Sequence, residues 1–237
     1  MNAAMAGTRA VGLDIGGTKT HGGVLGEDGS IVAQVREVTR PGADGVVATA
    51  ERVFEALVRE SGGSGESLAC RIGVGVPGLV VDGRLRRGEH GAAGEIGHVP
   101  VDPHGAPCGC GQTGCLETIA SGRALALAWP TPDGPPAAAL FAAAAAGDPV
   151  AVATRDRFCW GVASAIRALG LTIDPERIVL GGGVAEVGEP LREQVVRQLR
   201  SLGEGSPFLA SLGLADRLSM VPLHYPVAAV GAAILGR

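Results

Sequence analysis

The sequence predicts an α/β protein built on a mixed sheet. Three observations lead there. Short β-branched runs alternate with longer stretches of helical periodicity. The front of the chain carries a hairpin signal, with Asp28-Gly29 between two strand-like runs. Glycine-rich turns follow two of the strands, at GGTKT (16–20) and at GGG (181–183). At 237 residues the chain can form one large domain or two smaller lobes, and can bury a core without disulfides.

The elements follow in order. Arg9 to Ile15 reads as a short buried strand ending just after Asp14, and His21 to Leu25 as a second. Ile31 to Val38 alternates apolar and polar residues, as a third strand should. Gly45 to Ser61 places Val46, Val47, Ala50, Val53, Phe54, Leu57 and Val58 at helical spacing. A Gly/Ser loop leads to a fourth strand, Cys70 to Val76. It should run parallel to the first, because a helix separates it from the hairpin. Pro77 and Gly78 end it. Cys115 to Trp129 reads as one helix, and Pro136 opens an alanine-rich helix. A long helix spans Asp148 to Leu169, with Asp148 as N-cap, Pro149 at its first position and Gly170 just past its end. Arg177 to Leu180 is a strand, Glu189 to Leu202 a helix, Leu218 to Pro222 the last strand and Pro226 to Leu235 the last helix.

Composition excludes several classes. The net charge of -4 argues against nucleic acid as the main partner. The longest apolar run, Ala137 to Ala146, is too short to cross a bilayer, and the N-terminus lacks the pattern of a signal peptide. No membrane association is expected, and the cytoplasm is the expected location. Five cysteines are too few for a disulfide scaffold, and three of them are clustered, which fits a cytosolic metal site.

That cluster is the most specific feature of the chain. Cys108, Cys110 and Cys115 follow His98 within eighteen residues. Three thiolates and one imidazole can close a tetrahedral zinc shell, and a shell with four protein ligands is structural, leaving no position for water. Glycines at 109, 111 and 114 would let the loop fold tightly around an ion. Cys70 and Cys159 read as small core residues. Glu95 and Glu117 flank the loop; each could be a solvated carboxylate or an acceptor for sugar hydroxyls. The other motifs are less specific. DIGGTKT (14–20) could present backbone N–H groups and threonine hydroxyls to phosphates, with Asp14 on a metal ion, or could be an ordinary hairpin turn. LGGGV (180–184) could lie against a nucleotide or be a tight strand-to-helix turn.

The order of these motifs is what carries a resemblance. DIGGTKT, GVPG, GAAGEIGH with CGCGQTGCLE, the LETIAS continuation, LGGGV and a late AAVGAA together resemble the ROK family of sugar kinases and related regulators. The resemblance implies a two-lobed, actin-like ATPase (ribonuclease H-like) fold, with mixed sheets and flanking helices. The lobes would be residues 1–80, with the phosphate hairpin, and 81–237, with the zinc loop 94–117; the last helix can pack back on the first lobe. It implies a glucokinase-like activity, transfer of phosphate from ATP with Mg2+ to a hexose. Asp14, Gly16, Gly17 and Thr18 would then face phosphate and magnesium. Gly181, Gly182 and Gly183 would lie by the nucleotide. Glu95, His98 and Glu117 would face the sugar, with His98 also on the Zn2+ held by Cys108, Cys110 and Cys115. Homo-oligomers are a further implication. DNA binding is not expected, because only eight residues precede the first strand, too few for the helix-turn-helix domain of the family's repressors.

One departure matters for chemistry. In the family a segment of about 70 residues separates GVPG from GEIGH. It supplies an Asn-Asp pair, whose aspartate is the catalytic base, and a second phosphate-binding glycine turn. Here Pro77 and Glu95 are eighteen positions apart, and Asn2 is the only asparagine. No catalytic base is identified, and the fold is expected to be incomplete where the lobes join. Asp82 and Glu89 are weak substitutes, one in an Asp-Gly turn and one in a glycine-rich loop. Losing a general base costs about 100- to 10,000-fold in rate. A sugar- or nucleotide-binding homologue without transfer, or the deletion product of a kinase, is therefore the alternative reading.

Overall fold

A computed structural model describes residues 9–15, 19–62, 68–75, 79–81, 84–86, 88–90, 92–132 and 134–235. The chain forms two compact units, Met1–Gly78 with Tyr225–Arg237, and Leu79–His224.

The first unit is a four-stranded sheet between two helices. β1 (Arg9–Ile15), β2 (Lys19–Leu25) and β3 (Ile31–Val38) are followed by α1 (Ala43–Glu60) and β4 (Leu68–Gly75). The order is β3-β2-β1-β4. β2 is antiparallel to both β1 and β3, while β4 runs parallel to β1, so the sheet is mixed as the sequence predicts. The period-2 alternation of β1 sorts its residues between two layers. Val11 and Leu13 pack with Val24, Ala33, Val53 and Leu57 on the α1 face. Ala10 packs with Leu25, Val230 and Ala233 on the opposite face, under the last helix, α7 (Val227–Leu235). Gly12 lies on that second face. A Cβ there would sit 1.8 Å from the Ala229 carbonyl oxygen, so α7 rests directly on the β1 backbone.

The second unit opens with a hairpin that the sequence reading did not anticipate, β5 (Leu79–Val81) antiparallel to β6 (Arg84–Arg86). The cysteine loop follows. The helix expected from Cys115 to Trp129 is instead a 3₁₀ turn, Leu116–Thr118, and a separate α2 (Gly122–Ala128). The break has a local cause. Cys115 is extended (φ -59°, ψ 148°), and the Leu116 N–H donates to the Val99 carbonyl rather than into a helix. Ser121 then caps α2 by accepting from the Ala124 N–H at 3.0 Å.

α3 (Pro136–Ala145) and α4 (Pro149–Thr172) start at the expected prolines. Asp148 Oδ1 caps α4, accepting from Val150 and Ala151 N–H at 2.8 and 3.0 Å. The expected stop at Gly170 does not occur; the helix runs on to Thr172. Gly170 serves packing, since a Cβ there would lie 2.6 Å from a Leu214 methyl. β7 (Ile178–Leu180) leads through the glycine turn and a 3₁₀ turn, Ala185–Val187, to α5 (Glu189–Gly203). A short α6 (Pro207–Ser211) precedes β8 (Leu218–Met220), which pairs parallel to β7. Leu140, Phe141, Phe158, Cys159, Ile166, Val195 and Leu218 form the centre of this unit's core. Among the described residues no helix is long and apolar enough to cross a membrane.

Candidate metal centre

The loop between β6 and α2 folds back on itself around one glycine. Gly114 has φ +72°, and a Cβ on it would lie 1.6 Å from the Asp102 carbonyl oxygen. The Gly114 carbonyl accepts from Val101 and Asp102 N–H at 2.9 and 3.2 Å, and its N–H donates to Ala106. No side chain fits where two backbone segments touch this closely. Gly111 also uses positive φ, whereas Gly109 has neither a left-handed backbone nor a close neighbour, so its expected role in tightening the loop is not seen. The loop is tied to α4 by the Arg157–Asp102 ion pair at 2.8 Å. That guanidinium, helped by the His104 N–H, holds the Asp102 carboxyl below the usual carboxylate range.

This folding brings His98, Cys108, Cys110 and Cys115 together, with their donor atoms all within 4.8 Å of one another. The Cys110 and Cys115 sulfurs are 3.6 Å apart, and Cys108 Sγ is 3.6 Å from His98 Nδ1. A disulfide needs about 2.05 Å. A tetrahedron with bonds of about 2.3 Å to sulfur has edges of about 3.8 Å. The cluster therefore has the dimensions of a four-coordinate metal shell, and its thiols are free. Cys159, the remaining cysteine with a described side chain, is fully buried in α4, where burial pushes its thiol up to about 12.

The three thiols are not equivalent. Hydrogen bonds from the Gln112 side chain and backbone draw Cys110 down to about 6. The Cys110 backbone N–H favours the Cys108 thiolate, but donation to Glu117, burial and the other two sulfurs outweigh it and push Cys108 up to about 12. Burial pushes Cys115 up. A dication bound here would displace the remaining protons.

His98 is the hinge between the cluster and the surface. Its Nδ1 faces Cys108, and its Nε2 lies 3.8 Å from Glu95 Oε2. On the other side, Glu117 Oε1 is 3.9 Å from Nδ1 and accepts from Cys108 Sγ at 3.0 Å. The side chains of Glu95 and Glu117 are 54% and 44% exposed, so two carboxylates flank one imidazole on an open face. Such a set can accept several hydroxyl hydrogen bonds at once. Sequence reasoning missed Gln112. Its Nε2 donates to the His98 carbonyl at 3.1 Å and to Cys110 Sγ at 3.4 Å, fastening the imidazole's backbone to the knuckle. Its place between cysteines was the available signal. Arg157 was missed as well, and a partner 55 residues away leaves no signal.

The other expected site residues are less gathered. Asp14 is half-buried near the end of β1, opposite His21 of β2 and Gly75 of β4. Gly16, Gly17 and Thr18 lie outside the described residues, as do Val76, Pro77, Gly78 and Asp82. Glu89 stands in an exposed turn. Gly181, Gly182 and Gly183 are exposed in the turn after β7, where Gly182 has φ +89°. A hollow of about 730 Å³ lies elsewhere, along α5 between Glu189, Arg192, Glu193, Arg197 and Asp216.

Comparison with known proteins completes the picture. The family model described as "ROK family" matches residues 46–212. A glucokinase of Halalkalibacterium halodurans is 35% identical over 175 residues, covering 64% of this chain and 53% of that protein. An N-acetylmannosamine kinase of Citrobacter koseri is 38% identical over 163 residues, covering 68% and 52%. The chain thus spans about half the length of the curated relatives it matches. Among solved structures, a ROK family glucokinase from Streptomyces griseus, in complex with glucose and AMPPNP, aligns with a TM-score of 0.76 at 25% identity, over 97% of this chain and 99% of that one. A ROK hexokinase from Thermus thermophilus aligns with a TM-score of 0.68 at 28% identity, over 96% and 98%. The cysteine loop, the mixed sheet and the matched span agree: the chain belongs to the ROK family.

Proposed function

We propose that this chain is a hexose-binding protein of the ROK sugar-kinase lineage, glucokinase-like, whose sugar-facing wall is braced by zinc. The observation that carries this is the His98 imidazole, set between Glu95 and Glu117 on one side and three sulfurs on the other. Nδ1 would bind zinc together with Cys108, Cys110 and Cys115, leaving Nε2 and the two carboxylates for sugar hydroxyls. Bound zinc supplies positive charge and a rigid cross-link, and with four protein donors it offers no position for water. The chain's own residues do the recognition: carboxylates accept, and the imidazole N–H donates.

ATP with Mg2+ is the proposed phosphate donor, and Asp14, Gly16, Gly17 and Thr18 would face the phosphates and Gly181, Gly182 and Gly183 the nucleotide. Relatives named glucokinase and N-acetylmannosamine kinase support a hexose as acceptor. The sequence holds no Asn-Asp pair between GVPG and GEIGH. Transfer is therefore expected to run about 100- to 10,000-fold below a base-assisted rate. A second reading, sugar binding without transfer, is favoured by that same observation. The proposed setting is the cytoplasm, without a nucleic-acid or membrane partner.

Metal analysis should find one zinc per chain. Calorimetry with glucose and N-acetylmannosamine should give heat that Glu117→Gln weakens. A coupled ADP assay separates the two readings: slow sugar-dependent turnover supports a kinase, and none supports a binding protein. Zinc-loaded protein that gives no heat with any hexose overturns the sugar assignment.

A further inference from the structure

We propose that Cys110 and Cys115 form a peroxide-oxidisable dithiol, so that oxidation ejects the metal and unbraces His98. The consequence for the metal rests on the zinc reading above; the thiol pairing does not. Three positions single out this pair. Cys110 is exposed, so an oxidant in solvent reaches its sulfur first. Cys115 is fully buried, but its sulfur lies 3.6 Å from that of Cys110, ready to resolve the first product. Cys108 is buried and its thiol is engaged by Glu117 at 3.0 Å, which sets it apart from the exposed position.

The reaction balances with hydrogen peroxide as the two-electron oxidant. The Cys110 sulfur attacks one peroxide oxygen, the O–O bond breaks, and water leaves a sulfenic acid. The Cys115 sulfur then attacks the Cys110 sulfur, the S–O bond breaks, and a second water departs as the S–S bond forms. Two thiols are oxidised by two electrons and one peroxide is reduced to two waters; from thiolates, the protons come from solvent. Closing 3.6 Å to a bond of about 2.05 Å moves each sulfur by only about 0.8 Å. The same spacing thus serves a metal edge or a disulfide, but not both together. A disulfide withdraws two of the four donors, and Cys115 Sγ, once oxidised, can no longer donate to the His98 carbonyl it touches at 3.5 Å.

The test uses the purified full chain, first measured for zinc, then titrated with hydrogen peroxide beside a chromogenic chelator. Zinc release, intact mass and differential alkylation with peptide mapping are read together. The expected result is release of the bound zinc in step with a mass loss of about 2 Da. The new bond should map to Cys110–Cys115, with zinc affinity at least about 100-fold weaker until dithiothreitol restores it. Cys159→Ala should respond identically. Retained zinc at peroxide doses that oxidise the methionines, a disulfide that includes Cys108, or oxygen adducts on Cys110 without a disulfide would each overturn the proposal. If the purified chain holds no zinc, the metal reading fails on its own, and the mapped bond still decides the pairing.

Discussion

Gly114→Ala is the sharpest test of how the metal centre is built. The added Cβ would lie 1.6 Å from the Asp102 carbonyl oxygen, less than half a normal contact distance, at a backbone φ of +72°. Left-handed backbone with a side chain costs about 1 to 2 kcal/mol. Relieving the overlap must push the 101–102 segment away from residue 114. That movement breaks the two hydrogen bonds accepted by the Gly114 carbonyl, each worth about 1 kcal/mol. The combined penalty is about 3 kcal/mol, and it falls on the one conformation that gathers the four donors. Zinc affinity should therefore drop roughly 100-fold. Gly109→Ala is the matched control, since nothing lies within 4 Å of its Cβ and its φ is ordinary. Chelator competition on both variants measures the difference. If Gly114→Ala binds zinc as tightly as Gly109→Ala, the loop is not held by this close approach and the account of the centre is wrong.

Two further outcomes follow from the first unit. His21 is partly buried beside Arg36, and burial first, then that charge, holds its imidazole below the usual value of 6.5. A group with a depressed folded-state value favours the folded state above its unfolded value and loses that contribution as pH falls toward the folded one. Urea midpoints of the native chain should thus fall more between pH 7.5 and 5.5 than those of His21→Gln; equal slopes refute the assignment. Gly12→Ala should destabilise the unit by about 3 kcal/mol, because its Cβ would enter the Ala229 carbonyl. Gly23→Ala, whose nearest neighbour would be a methyl at 3.5 Å, should be tolerated. Thermal unfolding compares the two, and equal Tm values would mean that α7 does not rest on β1.

Much of the architecture was legible where the signal is local. The front hairpin follows from Asp28-Gly29, and the start of α4 from Asp148 and Pro149, because turn and cap preferences are properties of a few adjacent residues. The direction of β4 followed from the intervening helix alone. Errors came where a distant segment decided the outcome. Helical spacing after Cys115 was overruled by the bond from Leu116 to Val99, and α2 starts only at the Ser121 cap. Gly170 looked like a stop and proved to be the place where Leu214 packs against the helix.

The metal centre divides the same way. The four side chains that could hold an ion were legible from the sequence alone, as three cysteines and a histidine within eighteen residues. The flanking carboxylates were legible as well, through the order of motifs. Only the tertiary structure decided how these groups are held. It placed His98 between two carboxylates and the sulfurs, gave Gln112 the tie between His98 and Cys110, and anchored the loop through Arg157. The reason is physical: ligand chemistry is written in residue types and short spacings, whereas orientation depends on backbone contacts between segments far apart in the chain.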